Sequence, residues 1–176
     1  FLNYNFGLKN ESKVSHIFNV SILTHFTIFL LVLLLSETVG LWFVMTQLNI
    51  PVGRETATMW VYQMSVVTTL IGIMVIPYRA SIIAAERMSI FAYVSILEVA
   101  LKLVVVLVLS YMSFDNLVMY SILLTLVALL NFFIYQIECR RKLSFTKYHF
   151  VWDKSQYKEM MSFSSWYLFG GMAMVG

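Results

Sequence analysis

The sequence predicts an all-α, polytopic membrane protein, and three observations carry that prediction. The chain is 60% hydrophobic and only 12% charged, where soluble domains carry about a quarter charged residues. Its apolar residues run in continuous blocks of a length that crosses a bilayer, without the alternation of an outer-membrane barrel strand. Two prolines and seven glycines in 176 residues leave few breakpoints, so long helices are expected.

Composition also narrows the chemistry. The net charge of +3 is no nucleic-acid signature, because the position of the charges matters more than their sum. Cys139 is the single cysteine, so an intrachain disulfide and a thiolate metal site are both excluded. His16, His25 and His149 are scattered, and no metal or other cofactor is expected. No GxxxxGK[ST], GxSxG or HExxH motif occurs, so the reading is a non-enzyme without its own nucleotide site. The chain opens on Phe1 without a signal-peptide pattern and ends in an unfinished apolar run, which reads as an internal fragment.

Phe1 to Ser15 is polar and lies outside the membrane. Ile17 to Ser36 is the first span, and the helix is expected to run on through Glu37 to about Met45, longer than the hydrocarbon requires. Leu48 to Glu55 is a loop broken by Pro51. The second span, Thr58 to Ile76, opens with Trp60 and Tyr62 in an interfacial belt. Pro77 is expected to break or kink it, leaving Tyr78 to Met88 as a short linker.

The third span, Phe91 to Ser110, has 20 residues and would cross about 30 Å. A turn follows, with Asp115 placed to cap the fourth span, Leu117 to Gln136. Glu138 to Lys158 is a basic, aromatic-rich loop, and a fifth span begins at Met160. Flanking segments one, three and five together hold ten Lys and Arg, while two and four hold only Arg54. By the positive-inside rule, 1–15, 79–90 and 138–158 are cytoplasmic.

Polar residues inside spans mark the candidate site. Glu98 and Lys102 sit four apart at mid-span, on one helical face in the order that favours pairing. Intramembrane charges are costly, so a polar cavity or ion pathway is the leading reading and a structural ion pair the alternative. His25 sits mid-span, able to titrate in a proton-coupled cycle or simply to bond a neighbouring helix. Glu37 lies toward the outer end, and Gln63 shares the second span with Thr68 and Thr69. On the fourth span Ser121, Thr125, Ala128, Asn131 and Tyr135 form one small-and-polar stripe, helix-packing glue or a solvated lumen face. Arg79, Arg87, Arg140, Arg141 and Lys142 read as cytoplasmic anchors at the lipid headgroups.

Several stretches together resemble a known family. They are Ser36-Glu-Thr-Val-Gly-Leu-Trp-Phe43, Leu48-Asn-Ile-Pro51, Trp60-Val-Tyr-Gln63, and Ile76-Pro-Tyr-Arg-Ala-Ser-Ile-Ile-Ala-Ala-Glu-Arg-Met88 running on to Phe91-Ala-Tyr-Val-Ser-Ile-Leu-Glu-Val-Ala-Leu-Lys102. Cys139-Arg-Arg-Lys142, Val151-Trp-Asp-Lys154 and Met160-Met-Ser-Phe163 complete the set. The chain resembles bacterial polysaccharide and lipopolysaccharide biosynthesis proteins of the Wzx flippase type, in the multidrug/oligosaccharidyl-lipid/polysaccharide (MOP) exporter superfamily. The resemblance implies a two-lobed, MATE-like bundle of about twelve to fourteen helices with alternating access. Residues 1–137 would then be the second half of the N-terminal lobe, 138–158 the cytoplasmic loop between lobes, and 159–176 the start of the C-terminal lobe. It further implies transport of undecaprenyl-diphosphate-linked oligosaccharide across the bacterial inner membrane. The implied partners are that substrate, membrane lipids, a coupling H+ or Na+ and the polysaccharide polymerase machinery. A cation-coupled multidrug exporter is the alternative, and a membrane-embedded glycan polymerase or ligase is a third reading.

Overall fold

A computed structural model describes residues 11–111, 115–146, 153–162 and 166. Helix α1 (Glu11–Leu35) passes through one π-helical turn (Ser36–Gly40) into α2 (Leu41–Thr46). Helices α3 (Glu55–Ala84), α4 (Met88–Leu109) and α5 (Asn116–Lys142) follow, then a 3-10 turn (Ser144–Thr146) and helix α6 over 154–162. No strand occurs among the described residues. Four helical segments are long and apolar enough to cross a membrane: Ser12–Thr46, Glu55–Ala84, Met88–Leu109 and Asn116–Lys142. The chain is a multi-pass α-helical membrane protein, as its hydropathy predicts.

The first crossing is the longest. Its 35 residues would extend about 52 Å if straight, well beyond a hydrocarbon core of about 30 Å, so it tilts or protrudes. The π turn widens the backbone where Glu37 sits, and the rearranged carbonyls find partners. Ser36 O accepts from Leu41 N and from the Tyr62 hydroxyl at 2.5 Å. Gly40 is required for that approach, because a methyl built there would overlap the Tyr62 hydroxyl.

Two expected boundaries are corrected. Pro77 does not end the second span: α3 continues seven residues beyond it to Ala84, with Pro77 itself buried. Proline costs this helix one backbone hydrogen bond, whereas unwinding at that depth would strip several backbone groups of partners where no water can replace them. The true break is Ala85–Arg87, where Glu86 takes a left-handed φ of 55°. Glu86 N donates to Ile83 O and Arg87 N to Ile82 O, the double closure of a Schellman cap. The loop expected at Glu138–Lys158 is also shorter at both ends. Helix α5 runs on to Lys142, and α6 starts at 154 instead of Met160; 147–152 and most of 163–176 lie outside the described residues.

Packing follows from small and hydroxyl side chains. Helices α3 and α5 run parallel, held at three levels. Arg54 pairs with Asp115 at one end, Thr68 Oγ1 meets Thr125 Oγ1 at 2.9 Å midway, and the Cys139 thiol donates to Tyr78 O at 3.4 Å toward the other. Asp115 does cap α5, accepting from Leu117 N at 3.1 Å. Ser121, Thr125, Asn131 and Tyr135 are all buried, so most of the polar stripe serves as the packing face. Helices α1 and α4 run antiparallel to this pair.

The apolar core lies at the end that carries the basic residues Arg87 and Arg140 to Lys142. Val14, Phe18, Tyr78, Ile82, Val94, Tyr135, Cys139, Leu143 and Phe145 form one buried cluster there. Phe18 stands edge-on to Tyr78 at 5.7 Å and to Phe145 at 6.4 Å, the favoured arrangement for ring quadrupoles. Away from that end Leu30, Leu31, Leu34 and Leu35 are exposed, as suits surfaces whose solvent is lipid.

Candidate functional site

A cavity of about 330 Å³ opens between α3, α4 and α5, lined in part by Thr68, Gly72, Arg79, Glu98, Lys102 and Asn131. Each helix contributes a charged or amide side chain. The spacing on α4 brings Lys102 Nζ to 2.6 Å from Glu98 Oε1, one helical turn apart as the sequence predicts. Arg79 Nη2 stands 3.8 Å from the other oxygen, Oε2, close enough for Coulomb attraction but too far for a hydrogen bond. Asn131, on α5, faces the same carboxylate.

The sequence places Arg79 beyond the end of the second span as a headgroup anchor; α3 is unbroken there, and the Arg79 side chain, 42% exposed, lines the cavity. Its guanidinium lies 5.6 Å from the Phe91 ring centroid and 5.5 Å from that of Tyr135, within cation–π range of both. Its Nε is buried without a hydrogen-bond partner among the described residues. Two cations and one carboxylate therefore share the cavity wall.

The remaining candidates fall elsewhere. His25 Nδ1 is 2.8 Å from Ser21 O on its own helix, and His25 does not line the cavity. Glu37 and Gln63 meet each other at 3.3 Å beside the π turn. Arg87 precedes α4 as its N-cap residue without a side-chain cap bond. Arg140 and Arg141 are exposed at the end of α5, and Lys142 Nζ pairs with Glu138 Oε2 at 2.7 Å. No group of three or more His, Cys, Asp or Glu able to hold a metal occurs among the described residues.

Three contacts escape a sequence reading. Arg54–Asp115 joins two helix starts 61 positions apart. His16 Nε2 lies 3.1 Å from Asp153 Oδ2, and the Tyr157 hydroxyl donates to Thr27 Oγ1 at 3.0 Å; together they dock α6 beside α1. Asp153 lies outside the spans, and its carboxyl is held below the usual range by the backbone N–H of Gln156 and by His16. The approach of Arg79 to Glu98 could have been found had Glu86 been taken as the break. Folding the chain as a hairpin about Glu86 places position 79 opposite about position 93, within a long arginine's reach of Glu98. No family model, no curated protein and no solved structure matches the chain.

Proposed function

We propose that this chain is part of a transporter that moves a lipid-linked oligosaccharide, carried on undecaprenyl diphosphate, across a bacterial inner membrane. The observation that carries the reading is the cavity in which Arg79 and Lys102 flank Glu98. Its formal charge is positive by one, and ionisable groups inside a membrane bundle mark substrate or ion pathways. A positive wall favours a diphosphate and disfavours the lipophilic cations that a multidrug exporter would carry. Lys102 beside Glu98 alone would leave the wall neutral; Arg79 tips it. The resemblance to Wzx-type flippases supplies the glycan-lipid class, the two-lobed architecture and the expected polymerase partner.

In this reading the start of α1, the turn after Ala84 and the basic segment after α5 face the cytoplasm, where their Lys and Arg lie. Coupling to H+ or Na+ belongs to the same proposal. Gene deletion tests it: surface glycan should be lost while tolerance to cationic drugs stays unchanged. The opposite outcome favours the multidrug exporter. At residue level, Lys102→Ala and Arg79→Ala should each lower glycan display at unchanged protein abundance, and normal display in both would overturn the role of the cavity.

A further inference from the structure

The Glu98 carboxylate occupies the position that a bound anion would take. It lies between two cations, with Oε1 on Lys102 and Oε2 facing Arg79. Those cations are built differently. The Arg79 guanidinium is held over two rings, and its buried Nε–H is a donor without a partner among the described residues, a rare state for a buried group. Both side chains are about half exposed, 42% for Arg79 and 52% for Lys102, but Lys102 carries its ammonium on a flexible stem and can follow whichever anion is present. The cavity of about 330 Å³ is within the range of small-ligand sites and holds more than a carboxylate needs.

We infer that Arg79 and Lys102 form a binding site for a diphosphate group, and that Glu98 is its built-in competitor, displaced on binding and restored on release. The inference rests on the transporter reading above and deepens it. Two cations with no competing anion would hold a diphosphate too tightly to let it go, whereas transport requires binding favourable enough to enter and weak enough to leave. A tethered carboxylate solves this, because its local concentration never falls and it reclaims both cations as the ligand departs.

The test uses the whole gene product in detergent micelles, titrated calorimetrically with inorganic pyrophosphate, farnesyl diphosphate, phosphatidylglycerol dispersed in the same detergent, and tetraphenylphosphonium. Glu98→Gln keeps the shape and removes the competing charge, so both diphosphates should bind about tenfold tighter than to wild type. Arg79→Gln and Lys102→Gln should each weaken them by a similar factor. Equal or weaker affinity in Glu98→Gln overturns the competitor role and leaves the transporter reading standing. If neither protein binds a diphosphate while both bind tetraphenylphosphonium, the transporter reading itself fails. Phosphatidylglycerol binding as tight as farnesyl diphosphate would make the site a bilayer-lipid site and overturn the assignment to a diphosphate. Should Glu98→Gln not fold, Glu98→Asp retains the charge but loses reach; a gain in affinity supports the inference and no gain overturns it.

Discussion

Single residues decide where the helices bend and stop. Glu86 adopts φ 55°, a conformation that costs a residue with a Cβ about 1–2 kcal/mol, and among the described residues its carboxylate has no hydrogen bond or ion pair to offset that cost. Glu86→Gly should therefore stabilise the fold by about 1 kcal/mol after the entropy of glycine in the unfolded chain is subtracted, read as a raised denaturant midpoint in micelles. Unchanged or lowered stability would mean that the Glu86 side chain contributes more than the backbone costs. Gly40 is the opposite case. A methyl there would push the Tyr62 hydroxyl off Ser36 O, an overpacking cost of about 1–3 kcal/mol. Gly40→Ala should destabilise by that amount, and Tyr62→Phe in the same chain should recover part of it, so that the double variant loses less than the two single losses added. Strict additivity would show that the hydroxyl is not the obstacle. Neither position announces itself in the sequence: Glu86 looks like one more charged linker residue, and Gly40 like a small residue in an apolar run.

At the scale of elements, helix existence was legible; helix length was legible in the first crossing, expected to about Met45 and ending at Thr46, and not in the second. Length and hydropathy suffice to place four crossings, and Asp115 can be recognised as a cap because capping is a local matter of two or three residues. Glu98–Lys102 is legible for the same reason. Pro77 misleads because local propensity argues for a break, while the surrounding bundle and the absence of water enforce continuity. That one boundary also hides Arg79, since a residue in a linker cannot be assigned to a cavity. The parallel pairing of α3 with α5 is the element that positions the site, and its midpoint bond is Thr68–Thr125. Helix-to-helix hydroxyl bonds in membranes average about 0.6 kcal/mol, because the separated helices find other partners for the same groups; here each threonine also bonds its own helix. A double-mutant cycle of Thr68→Val and Thr125→Val should thus give a coupling of about 0.5 kcal/mol. A coupling well above 1.5 kcal/mol would show that the pair holds the bundle together instead of setting its register.

For the molecule as a whole, the aromatic and apolar cluster around Phe18, Tyr78 and Phe145 packs the helices together at the basic end, and Val75 belongs both to it and to the cavity wall. Helix α6 is fastened to the same end from outside the cluster, through Asp153 on His16 and Tyr157 on Thr27. The polar character of that attachment gives it a pH dependence with a definite sign. Asp153 also caps α6, accepting from Ser155 N and Gln156 N, and the depressed pKa of its carboxyl records that the ionised form is the one the folded state holds. A carboxyl depressed on folding contributes its stabilisation above its unfolded pKa of about 3.9 and loses it as pH falls through the lower, folded value. Docking of α6 should therefore be steady as the pH falls toward about 5 with respect to this carboxyl and loosen in more acid solution. Hydrogen exchange at 154–162, compared after correction for intrinsic rates, should show protection lost as the pH falls below about 4. Asp153→Asn keeps a capping oxygen but no charge, so its protection should start lower and change little below that pH. An acid loss of equal size in Asp153→Asn would assign the dependence to another group and leave Asp153 as a cap alone.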